Sequence, residues 1–151
     1  MKISLSPLIL VTILIFSGSC VSNVYERKAR ADAASFLKNV DHPQVLMKHP
    51  MVEPEDVPKV FAEQNKLRNL ENFKSSIVEI CGNSRDFKLV ETYRKINDEG
   101  KKFLALEYEF CNEITIILGY DLIGDGVILQ SIWPMNKADR PKEVFAKEKS
   151  W

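Results

Sequence analysis

Apolar positions recur at different spacings along this chain, and each spacing predicts a different element. An uncharged apolar run occupies 8–16, preceded by one cation, Lys2, and followed by the small polar group Ser17, Gly18 and Ser19. Over 23–40, Val24, Ala33, Phe36, Leu37 and Val40 supply one apolar side to a stretch rich in Ala, Arg, Lys and Glu, which predicts a helix. Four prolines (Pro43, Pro50, Pro54 and Pro58) follow within 41–58; they remove backbone donors and restrict the residues before them, so short turns are expected there. Asp56 reads as an N-cap with Pro58 in the first turn, ahead of Val57, Val60, Phe61, Gln64 and Leu67 at helical spacing. Leu70, Phe73, Ile77, Ile80 and Cys81 continue that spacing, and Gly82 stands where a left-handed C-cap ends a helix. Asn69 either separates two helices here or lies within one kinked rod.

The period then shortens to two. Phe87, Leu89 and Tyr93 fall on one side of a first strand, with Val90, Thr92 and Ile96 on the other, and residues 97–100 (NDEG) supply a turn. Leu104, Leu106, Tyr108 and Phe110 alternate with Ala105, Glu107 and Glu109 in the clearest half-buried strand, so both glutamates are expected to face solvent. Asn112 and Glu113 link it to 114–122, which is apolar on both faces and therefore expected inside the sheet. Gly124, Asp125 and Gly126 turn the chain into Val127, Ile128, Leu129, Ile132 and Trp133, closed by Pro134. The highly charged tail, 137–151, is read as a short helix or a frayed end. Helices followed by four antiparallel strands give an α+β order, with the sheet curled and helices on one face.

Charge narrows the partners. Lys and Arg total 21 and Asp and Glu total 21, so no net field draws the chain to nucleic acid. The N-terminal layout of cation, apolar run and small polar residues matches a bacterial secretory signal and is short for a membrane span. With Cys20 directly after it, the segment resembles the signal peptide of bacterial lipoproteins, in which the cysteine after the cut carries a diacylglyceryl thioether. Ser17 stands where that family places an aliphatic residue, and Ser17 with Ser19 also suits an ordinary signal peptidase, so secretion without lipid is the main alternative and an uncleaved anchor the other. The organisation expected is a signal peptide over 1–19 and one domain over 20–151, helical through 23–82 and antiparallel sheet through 85–134. Val21 in place of an Asp leans towards the outer membrane, and the domain is expected to face the periplasm, anchored through Cys20.

Cys81 and Cys111 remain as an even pair, suited to an oxidising compartment; bridged, they would close about 31 residues and contribute about 3 to 4 kcal/mol. Two buried free thiols are the alternative. No Cys or His pair has metal-ligand spacing, and His42 and His49 stand seven apart in the proline-rich stretch with no evident partner, so neither metal nor cofactor is expected. Asp121 and Asp125 with Gly124 and Gly126 lack the ligand spacing of an EF-hand and read as a hairpin turn.

From about 54 to 134, the helix ending in Cys81 and Gly82, the strand 103–111, its partner 114–123 and the closing 127–133 look like the cystatin-like cone. Proteins resembling nuclear transport factor two share that cone, as do many small bacterial lipoproteins. The resemblance implies a concave pocket used for binding, dimerisation or occasionally catalysis, with Tyr93, Tyr108, Tyr120 and Trp133 as candidate lining. Fold alone does not choose among those uses. The favoured reading is an envelope lipoprotein that binds, either as accessory or scaffold to another envelope protein, as a homodimer, or as carrier of a small apolar ligand. The alternative is an isomerase or dehydratase with a tyrosine and a carboxylate such as Glu91 or Asp121 in the pocket. No serine has a nucleophile-elbow context, and no catalytic residue is assigned.

Overall fold

The computed structural model describes residues 24–53 and 56–151. The signal segment, Cys20 and Pro54 lie outside the described residues. Helix α1 covers 24–38, α2 Pro43–Leu46 and α3 Lys59–Cys81. Strands β1 (Phe87–Ile96), β2 (Lys102–Phe110), β3 (Ile114–Ile123) and β4 (Gly126–Asn136) follow, then a 3-10 turn at Lys137–Asp139 and the short β5 (Lys149–Ser150). The sheet is antiparallel, ordered β4-β3-β2-β1-β5. The α+β order therefore stands, with five strands where four were expected. The fifth comes from the charged tail, which opens on a single 3-10 turn, Lys137–Asp139, and ends paired in the sheet and not frayed.

Helix α1 buries Ala29, Ala33, Phe36 and Leu37, a stripe at spacings of three and four that matches the helical period. Helix α3 runs through Asn69 as one 23-residue rod and buries only Leu70, Phe73 and Ile77. Its first turns are poorly covered, and Phe61 is 59% exposed. Pro58, not Asp56, stands at its N-cap, and no side chain caps it; Asp56 is exposed in the turn before. Gly82 ends it and donates its N–H to the carbonyl of Val78; its φ of +58° is positive, but ψ of −123° differs from the left-handed helical cap expected.

One sheet face packs on the helices. Leu104, Leu106, Tyr108 and Phe110 of β2 join Ile114, Ile116, Leu118 and Tyr120 of β3 in a single core with Phe36, Leu37 and Ile77. The β2 alternation thus falls in the expected register. Asn112 takes part in the hairpin link, whose two central residues are Cys111 and Asn112, with φ of 49° and 66°; positive φ at both positions is the type I′ geometry that suits the twist of paired strands. Cys111 is thereby held beside the end of α3, and Cys81 and Cys111 form a disulfide across a Cα separation of 5.7 Å.

Two irregularities shift faces. In β1, Leu89 pairs with Tyr108 but Glu91 pairs with Glu107, so Val90 is an extra residue. A bulge inverts the alternation after it, and Tyr93, opposite Ala105, lies on the face away from Phe87 and Leu89 rather than with them. In β4, Ser131 pairs with Gly119 and Leu129 with Tyr120, leaving Gln130 bulged out.

The second face is covered by the tail. Phe145 is buried against Ala105 and Ile117, with Tyr93, Phe103, Val144 and Met135 around it. Its ring meets Tyr93 edge-on at 4.9 Å between centroids, and the Trp133 ring at 5.9 Å. Lys149 and Ser150 pair with β1, and the Trp151 indole N–H donates to the Phe103 carbonyl at 3.2 Å. This cover corrects the expectation that Glu107 and Glu109 face solvent. Glu107 is 2% exposed, and Glu109 is half-buried and paired with Lys137 at 2.6 Å.

Candidate functional site

Helix α3 leaves the sheet margin only partly filled. Between it, β4 and the connector before α3 lies a groove of about 480 Å³. Leu70 and Phe73 of α3 and Ile132 of β4 give it an apolar floor, and Met51 and Val57 of the connector close one side. Polar groups stand on the rim. Asn65, Asn69 and Asn72 line it from successive turns of α3, with Gln130 facing from the β4 bulge. The charged lining residues among those described are Glu53, Glu63 and Lys66.

Lys66 is committed to the scaffold. Its Nζ donates to the carbonyls of Met47 and His49, both at 3.0 Å, fastening the turn after α2 to α3. Burial lowers its pKa, opposed by the charge of Glu53. Beside that turn, His49 Nε2 lies 2.9 Å from Asp32 Oδ2, and the Tyr120 hydroxyl donates to the same oxygen at 3.0 Å. Burial, together with the nearby Asp32 carboxylate, raises the Tyr120 pKa. Tyr120 therefore holds its proton and serves as a donor. These three residues are separated by 17 and 88 positions, so no local motif announces the cluster.

A second cluster sits on the tail side. Arg140 donates to Glu107, one bond being 2.8 Å, and to the Tyr93 hydroxyl at 2.9 Å, while Tyr93 donates to Glu107. Burial disfavours the Glu107 carboxylate, but the hydrogen bonds from Arg140 and Tyr93 and the Arg140 charge outweigh it, and the net pKa is lowered. Burial first and the bond to Glu107 second push Tyr93 up to about 12. The basic partner is not legible in sequence because Arg140 lies 33 residues beyond Glu107, in a tail read as a short helix or a frayed end.

None of Tyr93, Tyr108, Tyr120 and Trp133 is a lining residue of the groove. Tyr108 and Tyr120 are buried in the helix-side core. Tyr93 and Trp133 lie on the tail side, where Trp133 is 42% exposed. The carboxylates Glu107, Glu109 and Asp121 do not line the groove either, and Glu91 borders a separate shallow polar recess with Glu26, Arg30 and Arg94. Both tyrosine and carboxylate pairs are closed by a third residue, Arg140 in one and His49 in the other. Asp125 belongs to the β3–β4 turn, where its carbonyl accepts from Lys28 and the Gly124 carbonyl accepts from Tyr25 at 2.7 Å. Among the described residues no group of three His, Cys, Asp or Glu could hold a metal ion, and no helix is long and apolar enough to cross a membrane. No protein-family model, curated protein or solved structure matches this chain.

Proposed function

We propose that this chain is an exported envelope lipoprotein that acts by binding in the groove between α3 and β4. The observation that carries the reading is the groove itself: an apolar floor of Leu70, Phe73 and Ile132 under an amide rim, with its one lysine tied to backbone carbonyls. Apolar lining with a few placed polar groups is the usual character of a binding cavity. The pocket enzyme finds less support, because both tyrosine and carboxylate pairs are engaged elsewhere. The helix-then-meander order is compatible with a cystatin-like cone extended by β5 at the β1 edge.

Export is supported by the N-terminal signal pattern and by the Cys81–Cys111 bridge, a bond that persists in oxidising compartments. Acylation at Cys20 would leave a tether of four residues before Val24, spanning at most about 14 Å. The β3–β4 turn, gripped by Tyr25 and Lys28, would then sit close to the bilayer surface. Multiple acyl chains bury methylenes at roughly 0.8 kcal/mol each, enough for a stable anchor.

Two measurements test the reading. Intact mass of the protein extracted from membranes of its native host should correspond to a chain beginning at Cys20 plus acyl groups, with Cys81 and Cys111 alkylated only after reduction. An unlipidated soluble mass would overturn the anchor. For the groove, an environment-sensitive dye such as 1-anilinonaphthalene-8-sulfonate should brighten with saturable binding, and Asn69→Phe, which fills the groove from α3, should abolish it. Dye binding unchanged in Asn69→Phe would place the apolar site elsewhere.

A further inference from the structure

We propose that the groove receives an extended peptide segment that adds to β4 as a further strand; the proposal rests on the groove being the binding site. β4 is the last strand on its side of the sheet. Its edge already accepts strand pairing: Met51 forms a parallel bridge with Leu129, and the Val52 N–H donates to the Leu129 carbonyl at 2.9 Å. Beyond that bridge, among the described residues, no strand pairs with the outer edge of β4, and there the groove begins, lined by Ser131, Ile132 and Pro134. An incoming segment thus continues an interface the chain has started with its own connector. Pro134 has no N–H to give a ladder, so strand addition is expected between the Leu129 bridge and Pro134 and not across it.

The opposite wall completes the arrangement. Asn65, Asn69 and Asn72 stand at i, i+4 and i+7 on α3, which aligns them along one side of the helix. Asn65 accepts from Arg68 at 2.9 Å and keeps its amide donors. Backbone N–H and C=O groups of an extended segment project to both of its sides, so those turned from β4 would meet side-chain amides that both donate and accept. An acyl chain would leave these exposed amides to water and gain nothing from the rim, whereas a peptide backbone would use it. The floor of Leu70, Phe73 and Ile132 takes every second side chain, and these should be apolar. Glu53 and Glu63 on the rim, with Lys66 already engaged, favour a basic residue in the segment. The occupant is therefore a short extended peptide of alternating apolar and polar residues carrying a lysine, held by strand addition.

The test titrates the mature 15N-labelled protein with an acetylated Lys-Val-Thr-Val-Thr amide, with the same peptide N-methylated along its backbone, and with palmitate. The unmodified peptide should give saturable shifts at Ser131, Ile132, Asn69 and Asn72. Methylation removes its strand-pairing donors and should weaken binding by about tenfold or more. The double variant Asn69→Ala with Asn72→Ala, checked for a dispersed spectrum, should lose about tenfold in affinity. If palmitate shifts these residues and the peptide does not, the peptide proposal falls while groove binding stands. Equal binding of both peptides removes strand addition. No shift with any probe overturns both readings.

Discussion

On the helix side of the sheet, Phe36, Leu37 and Ile77 share a continuous apolar core with Leu106, Ile116 and Leu118. On the tail side, a small cluster around Phe145 lies beside Glu107 and Thr115, the buried polar residues among those described. The first cover is held by apolar area spread over many contacts. The second depends on the Phe145 ring, a two-residue strand, the Trp151 indole bond, the Lys137–Glu109 pair and the hydrogen bonds that Arg140 makes to Glu107 and Tyr93. Area is tolerant of small local losses, whereas a polar clamp in a dry site fails when one member is removed, because the others are left desolvated. The tail should accordingly open as a unit of lower local stability than the helix-side core.

The largest effect expected is on the helix side. Phe36→Ala should cost about 3 to 5 kcal/mol, read as a fall in the urea midpoint with the slope preserved. A loss below about 1 kcal/mol would mean that the site collapses onto the vacancy and the core is not tightly packed.

On the tail side, Arg140→Ala should cost about 3 kcal/mol at neutral pH, because it strands the Glu107 carboxylate. In a background carrying Glu107→Leu the same change should cost much less. Equal costs in both backgrounds would show that Arg140 acts through packing of its stem and not through the clamp. Hydrogen exchange should show the loss first at β5 and around Phe145, with the α1 amides still protected.

Titration separates the clamp from the core in another way. Glu107 has a folded pKa below its ordinary 4.5, so its contribution is fully present above 4.5 and is lost as pH falls through the lower folded value. Tyr93 has a pKa raised from 10.0 to about 12; its contribution is complete below 10 and declines as pH rises towards 12. Acid below pH 4.5 and alkali above pH 10 should both loosen the tail. Near-ultraviolet circular dichroism of the aromatic cluster checks this, and Tyr93→Phe should remove the Tyr93 part of the alkaline loss. An alkaline limb unchanged in Tyr93→Phe would assign that loss to the helix-side tyrosines, Tyr108 and Tyr120, whose pKa values burial also raises.

What was legible in sequence follows the same division. The α1 stripe, the β2 alternation and Gly82 as helix terminator were readable because each depends on neighbours a few positions away. The burial of Glu107 was not, since the alternation places it correctly on the second face but says nothing of what covers that face. Tyr93 was assigned the wrong side because one extra residue, Val90, inverts a strand without changing its composition. The groove was equally hidden. Nothing local marks Asn65 and Asn72, and Asn69 reads as a helix break or a kink, until the β4 edge is placed beside them.

The smallest expected effect tests how well the tail side is packed. Gly119 pairs with Ser131 on that face, and a Cβ added to Gly119 would come 2.4 Å from Ser131 Oγ. That hydroxyl is buried without a hydrogen-bond partner among the described residues. Removing an unsatisfied buried hydroxyl relieves its desolvation cost, so Ser131→Ala should leave stability unchanged or raise it by about 1 kcal/mol. Gly119→Ala alone should destabilise, and should do so less once Ser131→Ala has vacated the space, a coupling measurable in a double-mutant cycle. A clear loss in Ser131→Ala would instead show that the hydroxyl has a partner, such as bound water, and that the tail-side polar network extends from the clamp to the second bulge.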